Sequence, residues 1–461
     1  MTSSRNPFGL QALLHLAWPV VVARSSQAVI GFSDALMTAP LGEVGLAAVT
    51  TGAMNTFMIT ILPMGVVFIG QSFAAQLSAR GRPRTTVRYA WYALIVAGVA
   101  ALASLAAIPA VSSILGLLGY QPDVHRLMTL YLQIRLLSIG AAVATEALGN
   151  WYGGLGNTRL HMVAGVIAML INVFLNWVLI FGHLGFPALG VEGAAWASVI
   201  ATGIGFLVLL AAFGLKIAVP TDSVRPAGLS LAELRRFLRF GLPHGVNWFL
   251  EFTAFAFFIN IVVAGLGTVV LAAMMVVIQL NSVSFMPAFG LTSAGAILTG
   301  QAIGEGKLDE VGRIVRRTLA VTLCWQGSVG LAYLLLPAPL MRLFQTPTEN
   351  SAELVAIGAT LLAISALWQL FDAAALTLGE ALRSAGDTAW VLWARVVIAW
   401  VIFTPSAYFA VRMMEGGHIA AMLCVAGYIA LLAVVLVFRF RSGAWKEIDL
   451  TGADPVLVDE R

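Results

Sequence analysis

The chain has 461 residues, of which 60% are hydrophobic and 10% charged, against about 25% charged in soluble domains. A surplus that large exceeds what a water-soluble core can hide, which excludes soluble-domain enzymology. The formal net charge of +4 does not point to nucleic acid, because the cations are sorted by side of a membrane.

The predicted elements, in chain order, are apolar spans at about 12–38, 46–76, 89–117, 127–151, 161–182 and 192–215, then 243–264, 268–300, 316–337, 352–378, 389–411 and 418–438. Most reach the roughly 20 residues a helix needs to cross a hydrocarbon core about 30 Å thick. Runs such as 94–118, 201–215 and 419–438 are apolar on all faces, without the alternation of barrel strands. The first span contains Arg24 and Asp34 and no clean cleavage site, so it reads as a span and not as a removed signal peptide. Twenty of the 26 Lys and Arg fall on the side of both tails and of the links after even-numbered spans, which puts both termini in the cytoplasm. Cys324 and Cys424 lie in different apolar runs and read as small buried residues, not as a disulfide or metal site.

Between the sixth and seventh spans, Ser230-Leu-Ala-Glu233 forms a capping box, with Leu231, Leu234 and Leu238 on one face and Arg235, Arg236 and Arg239 on the other. This predicts an interfacial helix within a cytoplasmic link. The expected division is an N-terminal six-helix lobe over 1–215, a link over 216–242, a C-terminal six-helix lobe over 243–440 and a cytoplasmic tail over 441–461.

An internal repeat supports the two lobes. Leu41-Gly-Glu-Val-Gly-Leu-Ala-Ala48 matches Leu266-Gly-Thr-Val-Val-Leu-Ala-Ala273 at an offset of 225, and Gly65/Gly290, Gly70/Gly295, Gln76/Gln301, Gly81/Gly306 and Arg88/Arg313 keep that register. Pro19 and Pro243 match with a one-residue slip. Six spans per repeat is an even number, so both halves enter from the same side and the pseudo-twofold axis runs along the membrane normal. The fold class is all-α integral membrane, with twelve transmembrane helices in two six-helix lobes around a central cleft.

An ionised side chain inside a bilayer costs at least about 2.5–3.5 kcal/mol, so each intramembrane acid is a functional candidate. Glu251 has Asn247, Trp248, Phe255 and Phe258 on its helical face, an arrangement suited to an organic cation through charge and ring faces. Its plainer alternative is a buried acid paired with an amide or an Arg. Asp372 follows Trp368 and Gln369 by one turn, and Asp34 shares a face with Gln27, Gly31 and Thr38. Asn172 and Asn176 stand one turn apart, either as helix glue or as the lining of a polar cavity. Arg24 reads as a structural partner, and Glu146 and Glu380 as span ends reaching the cytoplasmic interface. The six histidines fall at span ends or in loops, without metal-ligand spacing.

These residues carry a resemblance. Asp34 with Leu46-Ala-Ala48, Gln76-x4-Gly81, Gly156-Asn-Thr158, Asn172-x3-Asn176, Leu179-Ile-Phe-Gly182, Gly190-Val-Glu-Gly-Ala-Ala195, Gly241-Leu-Pro243, Glu251, Gln301-x4-Gly306 and Leu382-Arg-Ser-Ala-Gly-Asp-Thr388 together resemble the multidrug and toxic compound extrusion (MATE) family, NorM-type branch, along nearly the whole chain. The resemblance implies a multidrug efflux antiporter that exports amphipathic organic cations in exchange for Na⁺ or H⁺ by alternating access. It also implies a monomer in the cell inner membrane that carries no cofactor. It assigns cation coupling to Glu251, Asp372 and Asp34, with Glu251 and Asp372 as the Na⁺ ligands if Na⁺ is the ion. Substrate contacts would come from Asp34, Asn172, Asn176, Ser198, Asn247, Trp248, Glu251, Phe255, Trp368 and Asp372. Asn176 stands where the DinF-type branch often has Asp, and Glu380 where a small residue is expected. The competing readings are a lipid-linked oligosaccharide flippase of the same superfamily, which typically needs a basic cleft for phosphates, and a membrane-embedded enzyme, for which no clustered catalytic set is present.

Overall fold

The computed structural model describes residues 7–117, 119–219, 224–225, 228–344 and 351–452. Residues 220–223 and 226–227 of the expected link, and 453–461 of the expected tail, lie outside the described residues.

The helices, in order, are α1 Leu10–Thr38, α2 Gly42–Phe68, α3 Gly70–Ala79, α4 Pro83–Ala107, α5 Val111–Gly116, α6 Pro122–Leu136, α7 Ile139–Gly154, α8 Thr158–Phe181, α9 Val191–Gly214, α10 Leu231–Phe257, α11 Thr268–Gly304, α12 Leu308–Leu335, α13 Pro337–Arg342, α14 Ser351–Ala385, α15 Thr388–Val396, α16 Thr404–Tyr408 and α17 Gly417–Ser442. Among the described residues, nine helical segments cross once each by length and apolarity. The 70-residue stretch Leu10–Ala79 would rise about 105 Å as one helix, more than three times the hydrocarbon core. It breaks at a 3₁₀ turn over Ala39–Leu41, where Gly42 takes φ +86°, and so supplies two crossings. α6 and α7, bent by 45°, together supply one, which completes the twelve spans the sequence predicts.

Prolines sit inside four of these helices, at Pro19, Pro63, Pro243 and Pro287. Both pairs, Pro19/Pro243 and Pro63/Pro287, are separated by 224 residues, so the repeat extends to the positions where a proline interrupts the helical hydrogen-bond ladder. Wide π-helical turns occur over Phe258–Val263, Val397–Phe403 and Phe409–Met413.

The chain forms two compact units, Val22–Gly245 and Met1–Val21 with Val246–Arg461. This differs from the expected lobe boundaries at residues 1–21 and 216–245, and packing gives the reason. Phe8, Leu13, Leu16 and Ala17 sink into a core with Ala294, Ile297, Leu298, Val311 and Ile314. At the other boundary, Phe237 is fully buried against Phe73, at 5.8 Å between ring centroids, and Tyr89, at 6.3 Å.

The link also differs from its prediction. Residues 231–242 are the first turns of α10 and not a separate helix. Ser230 Oγ accepts from the Ala232 amide at 3.2 Å, as an N-cap should. Glu233, however, does not return to the Ser230 amide. It accepts from Arg88 at 2.8 Å and from the Tyr92 hydroxyl at 2.7 Å, while the Ser230 amide donates to Tyr92 Oη at 2.8 Å. Tyr92 thus stands in for the reciprocal arm of the capping box and ties α10 to α4. The apolar face of this segment is anchored by Phe237, a residue the Leu231–Leu234–Leu238 reading passed over.

Candidate functional site

Five acids lie inside apolar helices, and the structure sorts them by partner. In the first unit, the C-terminal half of α1 carries Asp34, and helical spacing brings Asn172 and Asn176 of α8 to the same point. Asn176 Nδ2 donates to Asp34 Oδ1 at 2.6 Å, and Ser198 Oγ, from α9, donates to Asp34 Oδ2 at 3.0 Å. Asn176 also donates to Asn172 Oδ1 at 3.2 Å, and Asn172 donates to Ser198 Oγ at 3.3 Å. The four predicted residues form one closed, fully buried network. All of Asp34's hydrogen-bond donors are neutral, and Asn176 Oδ1 is buried without a donor.

Glu146 has a different environment. Arg24 grips both of its oxygens at 3.0 Å, Gln27 donates at 2.8 Å and Asn150 at 3.1 Å, with His161 Nε2 at 3.8 Å. The side chains of Arg24 and Glu146 are 8% and 2% exposed, so Glu146 is not the interfacial span end that the sequence suggests. Arg24 is the structural partner expected, and its acid is identified as Glu146.

In the second unit, Glu251 on α10 pairs with Arg395 on α15 and accepts from the Tyr428 hydroxyl of α17 at 3.1 Å. Asn247, Leu250, Glu251, Arg395, Val396, Ala399 and Trp400 line a narrow crevice beside this pair. The rings predicted to surround Glu251 are engaged elsewhere. Phe255 packs on Phe258 at 6.0 Å and Phe258 on Phe403 at 5.2 Å, within an apolar core that Trp368 also borders. Trp248 meets Phe289 edge-on at 6.1 Å.

Asp372 on α14 accepts from Gln326 Nε2 of α12 at 2.8 Å. Close by, Gln369 donates to Asn281 at 2.7 Å. Glu380 is buried and bound to Arg383 at 2.5 Å, another acid paired inside the protein. Among the described residues no group of three or more His, Cys, Asp or Glu could hold a metal, so Glu251 and Asp372 are not joined by a third such ligand.

Sequence reasoning missed Tyr428 and Gln326, which look like ordinary span residues, and left Arg395 unused. Arg395 did carry a signal, as a guanidinium in the middle of an apolar run.

The MatE family model matches residues 19–178 and 243–409. The chain belongs to the MatE family. Both matched stretches fall on the two repeats, and together they contain Asp34, Asn172, Asn176, Glu251 and Asp372. This MatE protein is 30% identical over 393 residues to a probable multidrug resistance protein NorM of Chromobacterium violaceum, covering 84% of this chain and 83% of that one. It is 26% identical over 402 residues to a multidrug resistance protein MdtK of Edwardsiella ictaluri, covering 86% and 87%. Among solved structures, one described as the outward-facing conformation of a multidrug resistance MATE family transporter of the MOP superfamily superposes with a TM-score of 0.85 at 19% identity, over 97% of this chain and all of that one. The twelve-helix, two-lobe fold is therefore that of this MatE chain.

Proposed function

We propose that this MatE protein is a multidrug efflux antiporter that exports amphipathic organic cations in exchange for inward Na⁺ or H⁺ by alternating access, from the bacterial inner membrane with both termini in the cytoplasm. The relatives named multidrug resistance proteins support the efflux part of this reading. The observation that carries the coupling part is the sorting of the acids. Glu146, Glu251 and Glu380 each have an Arg within ion-pair distance, whereas Asp34 and Asp372 are held by neutral amide and hydroxyl donors.

A carboxylate held in apolar surroundings without an ion-pair partner in contact is costly when ionised. It gains most from taking a proton, a small cation or a cationic substrate, and loses that partner when water returns. One such acid in each unit supports exchange, because the same carboxylate can hold the coupling ion in one state and be vacated in the other. Asn172, Asn176 and Ser198 orient Asp34 without neutralising it. On this reading Asp372 is the exchanging acid of the second unit, and Glu251 is its paired neighbour.

The test is ethidium efflux from membrane vesicles under an imposed Na⁺ gradient and, separately, an imposed pH gradient. Efflux above the no-gradient rate with either ion supports the reading and names the ion. Efflux indifferent to both contradicts it.

A further inference from the structure

Glu251 is the acid that the sequence puts forward for an exchangeable cation, yet in the structure it already holds one. We propose that Arg395 is a specificity-determining residue, a tethered cation that fills Glu251 and leaves this cluster able to accept a single positive charge, at Asp372. The inference rests on the organic-cation export reading and concerns which cations that export accepts.

The charge inventory is short. Glu251 and Arg395 form one ion pair, and Asp372, whose hydrogen bond comes from a neutral amide, lies within electrostatic reach of both. With Asp372 ionised, the three groups carry one net negative charge. Two buried oxygens beside them lack donors. Asn247 Oδ1, on the crevice shared with Glu251 and Arg395, is one, and Gln326 Oε1, on the amide that holds Asp372, is the other. Neutral oxygens of this kind complement a cation and add no charge of their own.

The grip on Glu251 has the form of Arg88 on Glu233, one nitrogen on an acid shared with a Tyr hydroxyl, and differs from the two-nitrogen contacts. Arg24 holds Glu146 through two nitrogens at 3.0 Å, and Arg439 holds Asp387 through two, at 2.7 and 3.1 Å. Arg395 bonds Glu251 through one nitrogen, Nη1, and its buried Nε has no acceptor. The second oxygen of Glu251 is taken by Tyr428. Arg395 sits two residues before the π-helical turn Val397–Phe403, a local widening of the helix that is frequent at functional positions. The guanidinium is therefore positioned by one charge-assisted contact and shares its carboxylate with a hydroxyl, while still cancelling Glu251's charge.

A cation that enters beside Asp372 meets one uncompensated carboxylate. Arg395 repels every entering cation in proportion to its charge, so it lowers the cluster's attraction for a dication twice as much as for a monocation, a difference worth a factor of roughly ten or more at close range in a partly desolvated site. Removing the positive charge of Arg395 while keeping Glu251 turns the cluster into a two-carboxylate site that favours dications.

The experiment measures transport of ethidium, a monocation, and of 4′,6-diamidino-2-phenylindole, a dication, by the purified protein in liposomes. Arg395→Gln should raise the dication-to-monocation rate ratio about tenfold or more, and Arg395→Lys should keep the wild-type ratio. A merely structural role would lower both rates together and leave the ratio unchanged, which would overturn the proposal. If Arg395→Gln fails to fold, Glu251→Gln/Arg395→Gln keeps the net charge of the cluster and should keep the wild-type ratio, and a shifted ratio there also overturns it. A wild-type protein that moves neither dye sinks the export reading, and this inference with it. A wild-type protein that moves both, with variants that ignore charge, sinks the inference alone.

Discussion

The two units share a repeat but not a charge plan. In the register that Pro19/Pro243 sets for this span, an offset of 224, Arg24 corresponds to Trp248 and Asp34 to Phe258, while Glu251 corresponds to Gln27. The first span of the N-terminal repeat thus contributes an Arg to its ion pair and carries an amide-held acid beyond it. The corresponding span of the C-terminal repeat contributes a Glu, and its amide-held acid, Asp372, comes from α14. The close contacts, by contrast, are duplicated. A Cβ on Gly65 would lie 2.6 Å from Gly245 Cα, and one on its repeat partner Gly290 would lie 2.9 Å from the Val21 nitrogen. Positions where backbones touch are fixed by geometry and survive duplication. The charges do not follow that geometry, and there the units have diverged.

Five single substitutions sharpen or break this comparison. The largest effect should come from Arg24→Met, which strands Glu146 as a buried unpaired charge and should cost about 3–5 kcal/mol, read as a large drop in thermal unfolding temperature in detergent. Pairing it with Glu146→Leu should recover most of the loss. Next, Gly65→Leu and Gly290→Leu should each destabilise by about 1–3 kcal/mol or more through overpacking. A large cost at one and none at the other would argue that the repeat does not preserve these contacts. Asp34→Asn should cost about 1 kcal/mol or less, because its partners are neutral and Ser198 can reverse its hydrogen bond. An effect on stability as large as that of Arg24→Met would mean that Asp34 is a structural charge. The smallest effect should come from Glu233→Gln, whose partner Arg88 is 24% exposed, so the loss of that pair should stay near or below about 1 kcal/mol.

Much of this was legible in the chain. Span lengths, the parallel repeat and the cluster of Asp34, Asn172, Asn176 and Ser198 follow from apolar periodicity, one constant offset and motif matching. Asn172 and Asn176 face one way because they are four apart on a helix. The surroundings of Glu251 were not legible in the same way. Helical spacing names only neighbours on the same helix, and Phe255 and Phe258 turn out to serve the apolar core. The groups that do touch Glu251, Arg395 and Tyr428, are 144 and 177 residues away, a separation that no local pattern spans. The allocation of residues 1–21 was hidden for a related reason. An apolar α1 gives no sign of which neighbours its first turns pack against, and Phe8, Leu13 and Leu16 declare this only in the folded chain.

The central claim is that ions are exchanged by the acids without an Arg partner, and not by the paired ones. The most direct test is gradient-driven ethidium efflux by Asp34→Asn, Asp372→Asn and Glu251→Gln/Arg395→Gln, each normalised to the amount of protein in the membrane. The account predicts that either single substitution removes the gradient-driven component while the double substitution, which deletes a whole ion pair, retains a substantial part of it. Normal efflux by Asp372→Asn together with none by the well-expressed double variant would contradict the account and make Glu251 the coupling acid.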